Sequence, residues 1–166
     1  MQNRTKKLVN SAMLAALICV ATMIIKIQLT PNGYINLGDG VIILAGKALG
    51  PLYAFLAAGI GSMLADLLSG FAFYAPATFI IKGIMALSAY FMMKKLSCMK
   101  NGTISAVIAS VIAELVMIVG YGIFEAVVYG IGVAVASMPG NSIQAVAGIL
   151  SGTLLVKVFE KSGIGR

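Results

Sequence analysis

Residues 8–27 read LVNSAMLAALICVATMIIKI, and the fate of this stretch decides what kind of molecule the chain is. It follows Arg4, Lys6 and Lys7. A basic start before an apolar run is common to cleaved export signals and to first transmembrane helices. Here the run is about 20 residues long, enough to cross a bilayer, and no clean small-x-small cleavage site follows it. The stretch is therefore expected to be a retained first helix.

The composition points the same way. Of 166 residues, 60% are apolar before any of the 19 glycines is counted, and 10% are charged, where a soluble domain carries about 25%. Mean hydropathy is +1.03. A chain this short has too little interior to hide that much apolar surface, so the surplus must face lipid. A soluble enzyme, a disulfide-stapled secreted domain and a disordered tail are all excluded. The net charge of +7 becomes a membrane feature, and no nucleic-acid partner is expected.

Outward from the first run, five more apolar stretches bounded by charge or by Gly/Pro breaks lie at 40–49, 51–68, 76–93, 104–129 and 142–159. The run at 40–49 is short and has Gly50-Pro51 directly behind it. It reads as a broken or partly re-entrant helix, or as one that begins earlier. The expected fold is an all-α integral membrane protein, a single domain over 1–166 with six transmembrane helices, multi-pass in the cell membrane. Basic residues in short loops stay cytoplasmic. Arg4, Lys6, Lys7, Lys47, Lys94, Lys95, Lys100, Lys157, Lys161 and Arg166 fall on one side if the spans alternate, against Lys26 on the other. Both termini are thus predicted to be cytoplasmic.

An ionisable group within the bilayer costs about 2.5–3.5 kcal/mol on insertion scales, so each one asks for a reason. Asp66, Lys82, Glu114 and Glu125 fall inside spans, and Asp39 opens the second. Helical spacing places Glu114, Tyr121 and Glu125 on one stripe, Ser62, Asp66 and Ser69 on another, Thr78 with Lys82, and Asn141 with Gln144. Four helices each carrying one polar line are most economically arranged with those lines inward. The pattern predicts an outward-facing polar cavity, lidded by a loop over 28–38 bearing Tyr34 and Asn36, with Phe71, Phe73 and Tyr74 as an aromatic wall. Such a pocket suits a small amphipathic ligand. Competing structural roles are a helix cap for Asp39, an Asp66–Lys82 ion pair, and solvated capping by Glu125.

Small residues give a second signal. Ala12 and Ala16 form an AxxxA step in the first span, open between internal packing and docking of another subunit. Ala54, Ala58, Gly61 and Ala65 line the third, where internal packing is expected. No GxxxxGK[ST] phosphate loop is present, so the chain should not hydrolyse ATP. With no His and only two Cys, the usual His-based metal sites and nucleophile pairs are excluded, and no cofactor is expected. The chain is predicted not to be an enzyme.

Several segments together resemble a known family. They are Asn36-Leu37-Gly38-Asp39, Gly50-Pro51, Ala65-Asp66-Leu67-Leu68-Ser69-Gly70, Tyr74-Ala75-Pro76 with Lys82-Gly83, Glu114 to Glu125 around Gly120-Tyr121, and Pro139-Gly140-Asn141 with Gln144. In their order and spacing, over nearly the whole chain, they resemble the substrate-binding S components of energy-coupling factor (ECF) vitamin transporters. The nearest branch is the riboflavin-type or general S component, whose members serve several vitamins. The resemblance implies capture of a vitamin or precursor from outside, in a site lidded by the first interhelical loop. It also implies association with a transmembrane coupling protein and two cytoplasmic ATPases, with Ala12 and Ala16 docking onto the coupling protein and the whole component toppling in the membrane. The candidate substrate-binding residues are Tyr34, Asn36, Asp39, Asp66, Tyr74, Lys82, Glu114, Tyr121, Glu125, Asn141 and Gln144.

A pocket of Asp66, Lys82 and Glu125 with tyrosines favours a hydrogen-bonding heterocycle, pyridoxine-like or hydroxymethylpyrimidine-like. Riboflavin and pantothenate remain compatible. The alternative function is a self-sufficient proton-coupled secondary carrier or channel using Glu114 and Glu125, although the two halves show no internal repeat of the kind many carriers have.

Overall fold

A computed structural model describes residues 2–24, 26–30, 33–99 and 101–162, with the side chains of 2–3, 27–30 and 33–35 outside that description. The elements are α1 (Gln2–Ile24), β1 (Lys26–Thr30), β2 (Gly33–Asn36), α2 (Gly38–Ala48), α3 (Pro51–Leu68), α4 (Ala75–Lys95), α5 (Gly102–Val128) and α6 (Ile131–Ser162), with a 3-10 turn at Leu96–Cys98. Among the described residues, five of the six α-helices are long and apolar enough to cross a membrane. The exception is α2. Its 11 residues rise about 16 Å, roughly half the hydrocarbon thickness.

The ends of the helices follow from local chemistry. Pro51 starts α3 behind an extended Gly50, where its fixed φ and missing N–H cost nothing. That break separates α3 from α2. At the other end of α3, Gly70 adopts φ +84°. Its N–H reaches the Leu67 carbonyl, and that of Phe71 reaches the Asp66 carbonyl at 2.9 Å, a Schellman closure that needs a residue tolerant of positive φ. The Asn101 side chain caps α5 by accepting from the Thr103 N–H at 3.1 Å.

Two expectations are corrected. The loop over 28–38 is largely a hairpin, with β1 antiparallel to β2, Lys26 opposite Asn36, and a register shift between Gln28 and Thr30. Helix α6 begins at Ile131, well before 142, and runs through Pro139. Proline withdraws only the hydrogen bond that its own N–H would give to the carbonyl four residues back. The flanking turns continue, with the Ser137 and Ser142 hydroxyls donating to the Ala134 and Met138 carbonyls at 3.0 and 2.8 Å.

Packing places small side chains inside and large ones outside. Ala45, Ala54, Ala58, Ala86, Ala89, Ala109 and Ala113 are fully buried, while Leu8, Ile24, Val127, Ile131 and Leu150 project outward. Lipid is as apolar as leucine, so helices gain by close approach rather than by hiding large side chains. At the α3–α4 seam, Gly59 faces the Phe79 ring and Gly83 faces the Phe55 ring. The two rings meet edge to face at 5.4 Å. A Cβ on either glycine would collide with the opposing ring. A Cβ at Gly61 would lie 2.5 Å from the Ala15 carbonyl oxygen, so the expected small-residue face of α3 receives α1.

Helix α2 contacts α1, α3, α4 and α6 and is buried along most of its length. A Lys47–Glu160 ion pair joins its C-terminal end to that of α6, beside Gly102 at the start of α5. The other end of α2 stops inside the bundle. The hairpin leads into that end, and its strand β2 lies against α6 and α1.

Candidate functional site

The buried start of α2 is where the polar residues converge. Asn36 closes the hairpin and turns the chain into the helix, its side-chain oxygen accepting from the Gly38 N–H at 2.9 Å. This is an Asx turn, and it leaves Asp39 free of any capping role. Asp39 is 0% exposed and receives two donors. Lys82 from α4 forms an ion pair with Oδ1, and Gln144 Nε2 from α6 donates to Oδ2 at 2.6 Å. Gln144 Oε1 in turn accepts from the Asn36 backbone N–H at 3.1 Å and from Asn36 Nδ2 at 3.4 Å. One continuous network thus ties the hairpin, α2, α4 and α6 together.

The partner of Lys82 is therefore Asp39, where the competing structural role offered Asp66. Asp66 is buried near the end of α3, where its backbone carbonyl serves the closing turn. Tyr121 adjoins the network from α5. Lys82 Nζ sits 5.6 Å from its ring centroid, and its hydroxyl is 3.0 Å from Thr78 Oγ1.

Glu114, on the same stripe of α5, is 1% exposed. Its carboxylate fills the space that a side chain at Gly148 of α6 would occupy, where such a Cβ would also lie 3.1 Å from Asp39 Cβ. Neither of its oxygens has a hydrogen-bond partner among the described residues. A buried polar group left unmatched costs several kcal/mol in an apolar setting, so this residue stands apart from the satisfied groups around it.

A second cluster lies about 16 Å further along α5, since Glu125 is eleven residues beyond Glu114. Glu125 accepts from Ser137 of α6 and from the Tyr74 hydroxyl at 3.4 Å. Tyr74 also meets Phe124 at 5.1 Å and stacks on Tyr129 at 6.1 Å, while Phe73 lies 6.1 Å from both rings. The expected aromatic wall is thus built from Phe73 and Tyr74 with two residues of α5. Phe71 lies apart from it, beneath Lys26 Nζ at 4.5 Å.

Among the remaining candidates, Asn141 is half-buried one turn before Gln144 and makes no hydrogen bond among the described residues. Tyr34 belongs to β2, but its side chain lies outside the described residues. Ala12 and Ala16 are exposed on the outer face of α1, while Ser11, Ala15 and Ile18 turn inward. Sequence reasoning misses Ser137, because it falls between the expected spans at 104–129 and 142–159. The signal for it is its twelve-residue separation from Glu125 across a short Tyr129-Gly130 turn, which returns the chain antiparallel to itself.

Comparison with known proteins gives a consistent answer. A family model described as ECF-type riboflavin transporter, S component, matches residues 2–161. An uncharacterised protein from the gap 3′ region of Pyrococcus woesei is 34% identical over 145 residues, 87% of this chain and 95% of that protein. Among solved structures, the chain is similar to the S component of a bacterial ECF transporter, with a TM-score of 0.71 at 24% identity over 98% of this chain and 97% of the other. It is also similar to the S component for biotin of an ECF-type ABC transporter, with a TM-score of 0.66 at 21% identity over 96% and 93%. At these identities the structural likeness establishes the shared fold.

Proposed function

The chain belongs to the ECF-type riboflavin transporter S component family, a multi-pass membrane protein family of substrate-binding subunits, and from that membership we propose how it works. It captures a water-soluble vitamin or vitamin precursor from outside the cell. It then delivers the ligand in association with a transmembrane coupling protein driven by two cytoplasmic ATPases. The whole chain acts as one membrane domain crossing six times, with α2 and the hairpin together making one of the crossings and both termini in the cytoplasm. The exposed Ala12–Ala16 step is the docking face for the coupling protein.

One observation carries this reading: the Asn36–Gln144–Asp39–Lys82 network, buried where α2 stops short beneath the hairpin. A self-contained bundle gains little from holding an ion pair and two amides at this depth. A ligand chamber needs such groups, with rigid helices to hold them and an element small enough to act as a cover. Tyr121 and the outer aromatic cluster supply flat apolar surface for a heterocycle, and the network supplies hydrogen-bonding edges.

The test is uptake in vesicles. Accumulation of the ligand that co-purifies with the protein, identified by mass spectrometry, is expected only with ATP inside and with the coupling protein and ATPases co-reconstituted. Uptake by the chain alone along a proton gradient would overturn the proposal in favour of a secondary carrier.

A further inference from the structure

The charges around the network do not balance in favour of an anionic ligand. Lys82, the intramembrane cation, is 3% exposed and already committed to Asp39. The other cation near this end of the bundle, Lys26, donates to the Ser69 carbonyl at 3.5 Å and lies over the Phe71 ring. The Gln144 amide N–H₂ also serves Asp39. Both lysines and the Gln144 amide N–H₂ are thus taken up internally. What the site offers instead is an acceptor: the Glu114 carboxyl group, 1% exposed, packed against α6 beside Asp39, with neither oxygen partnered among the described residues. Glu125, by contrast, is already satisfied by Ser137 and Tyr74.

We propose that the ligand carries a positively charged nitrogen with N–H donors, such as a protonated amine or amino-heterocycle, and that Glu114 is the residue that receives it. This rests on the vitamin-capture reading above and narrows its substrate class. A ligand cation would give Glu114 the charge-assisted partner it lacks. It would also complete a two-cation, two-carboxylate arrangement with Lys82 and Asp39. A ligand carboxylate would have to sit against both Glu114 and Asp39, with Lys82 already held by Asp39, and crowding three carboxyl groups around one committed cation discriminates strongly between ligands.

The test uses the purified full chain in detergent, titrated calorimetrically with pyridoxamine as a protonated amine, thiamine as a cation whose N–H donors lie on its aminopyrimidine ring rather than on its quaternary nitrogen, pyridoxine and riboflavin as neutral ligands, and biotin and pantothenate as anions. The tightest binder is expected to be a cation. The Glu114→Gln variant, which keeps the shape and removes the charge, should weaken that binder about 10- to 100-fold, matching the roughly 1.5–3 kcal/mol of a hydrogen bond to a charged group. The thermal midpoint of the ligand-free variant, measured alongside, checks that it is folded. A neutral or anionic tightest binder overturns the charge assignment while leaving vitamin capture intact, as does unchanged affinity in a folded Glu114→Gln. Failure of all six compounds to bind the wild-type chain overturns the vitamin-capture reading on which the assignment rests.

Discussion

The Lys82–Asp39 pair shows how much a single side chain depends on its partner in this setting. Both groups are almost wholly buried, so removing one leaves the other as an uncompensated charge, a loss of about 3–5 kcal/mol for buried pairs. Lys82→Met should therefore lower the thermal midpoint in detergent sharply. The double change of Lys82→Met with Asp39→Asn should recover most of the loss, because no charge is then stranded. Equal destabilisation by the single and double variants would show that Lys82 contributes through packing alone. That Asp39 rather than Asp66 meets Lys82 could not be read from spacing. Periodicity reports which residues share a face of one helix, but not which neighbouring helix that face meets. Lys82, Glu114 and Gln144 were legible as inward-facing polar residues and Asp39 only as the opening of the second span, and their connections were not.

At the scale of elements, α1, α3, α4 and α5 were readable to within a few residues at most ends, because charge or a Gly/Pro break bounds each apolar run. Helix α6 was not, because Pro139, Gly140 and Asn141 resemble a loop until lipid and neighbouring helices deny the backbone any other partner. The hairpin left a usable trace in the turn-forming run Pro31-Asn32-Gly33 between short apolar stretches, which a search for membrane spans passes over. Helix α1 has the clearest division of faces: Ser11, Ala15 and Ile18 meet the bundle, and Ala12 and Ala16 do not. If that outer step is a docking face, Ala12→Trp with Ala16→Trp should leave ligand affinity within about twofold, since neither residue touches the polar network. Co-purification of the coupling protein should be lost. Loss of ligand binding together with retained association would refute the assignment.

For the whole molecule, the central question is which end of the bundle faces the cytoplasm. The Lys47–Glu160 pair and Gly102 gather the ends of α2 and α6 and the start of α5 at one end, the same grouping that the basic residues predict for the cytoplasmic side. Cys98 provides a natural probe, because it is exposed in the turn between α4 and α5 while Cys19 is buried. A membrane-impermeant maleimide should label Cys98 in inside-out vesicles and leave it unmodified in intact cells. The reverse pattern would invert the proposed topology, and with it the side from which ligand enters.

The alanine- and glycine-rich interior also makes the chain's tolerance of mutation one-directional. In a water-soluble core the commonest damage is loss of volume, since a truncated leucine or phenylalanine leaves a hole. At Ala54, Ala58, Ala86 or Ala113 there is almost nothing to truncate, and the neighbouring backbones already lie close. Harm at these positions arrives by enlargement, where even one added carbon must push two helices apart. The outward-facing leucines, isoleucines and valines can be exchanged among themselves at little cost. Natural variation in such a chain should therefore gather on its lipid-facing surface, while its smallest side chains stay fixed.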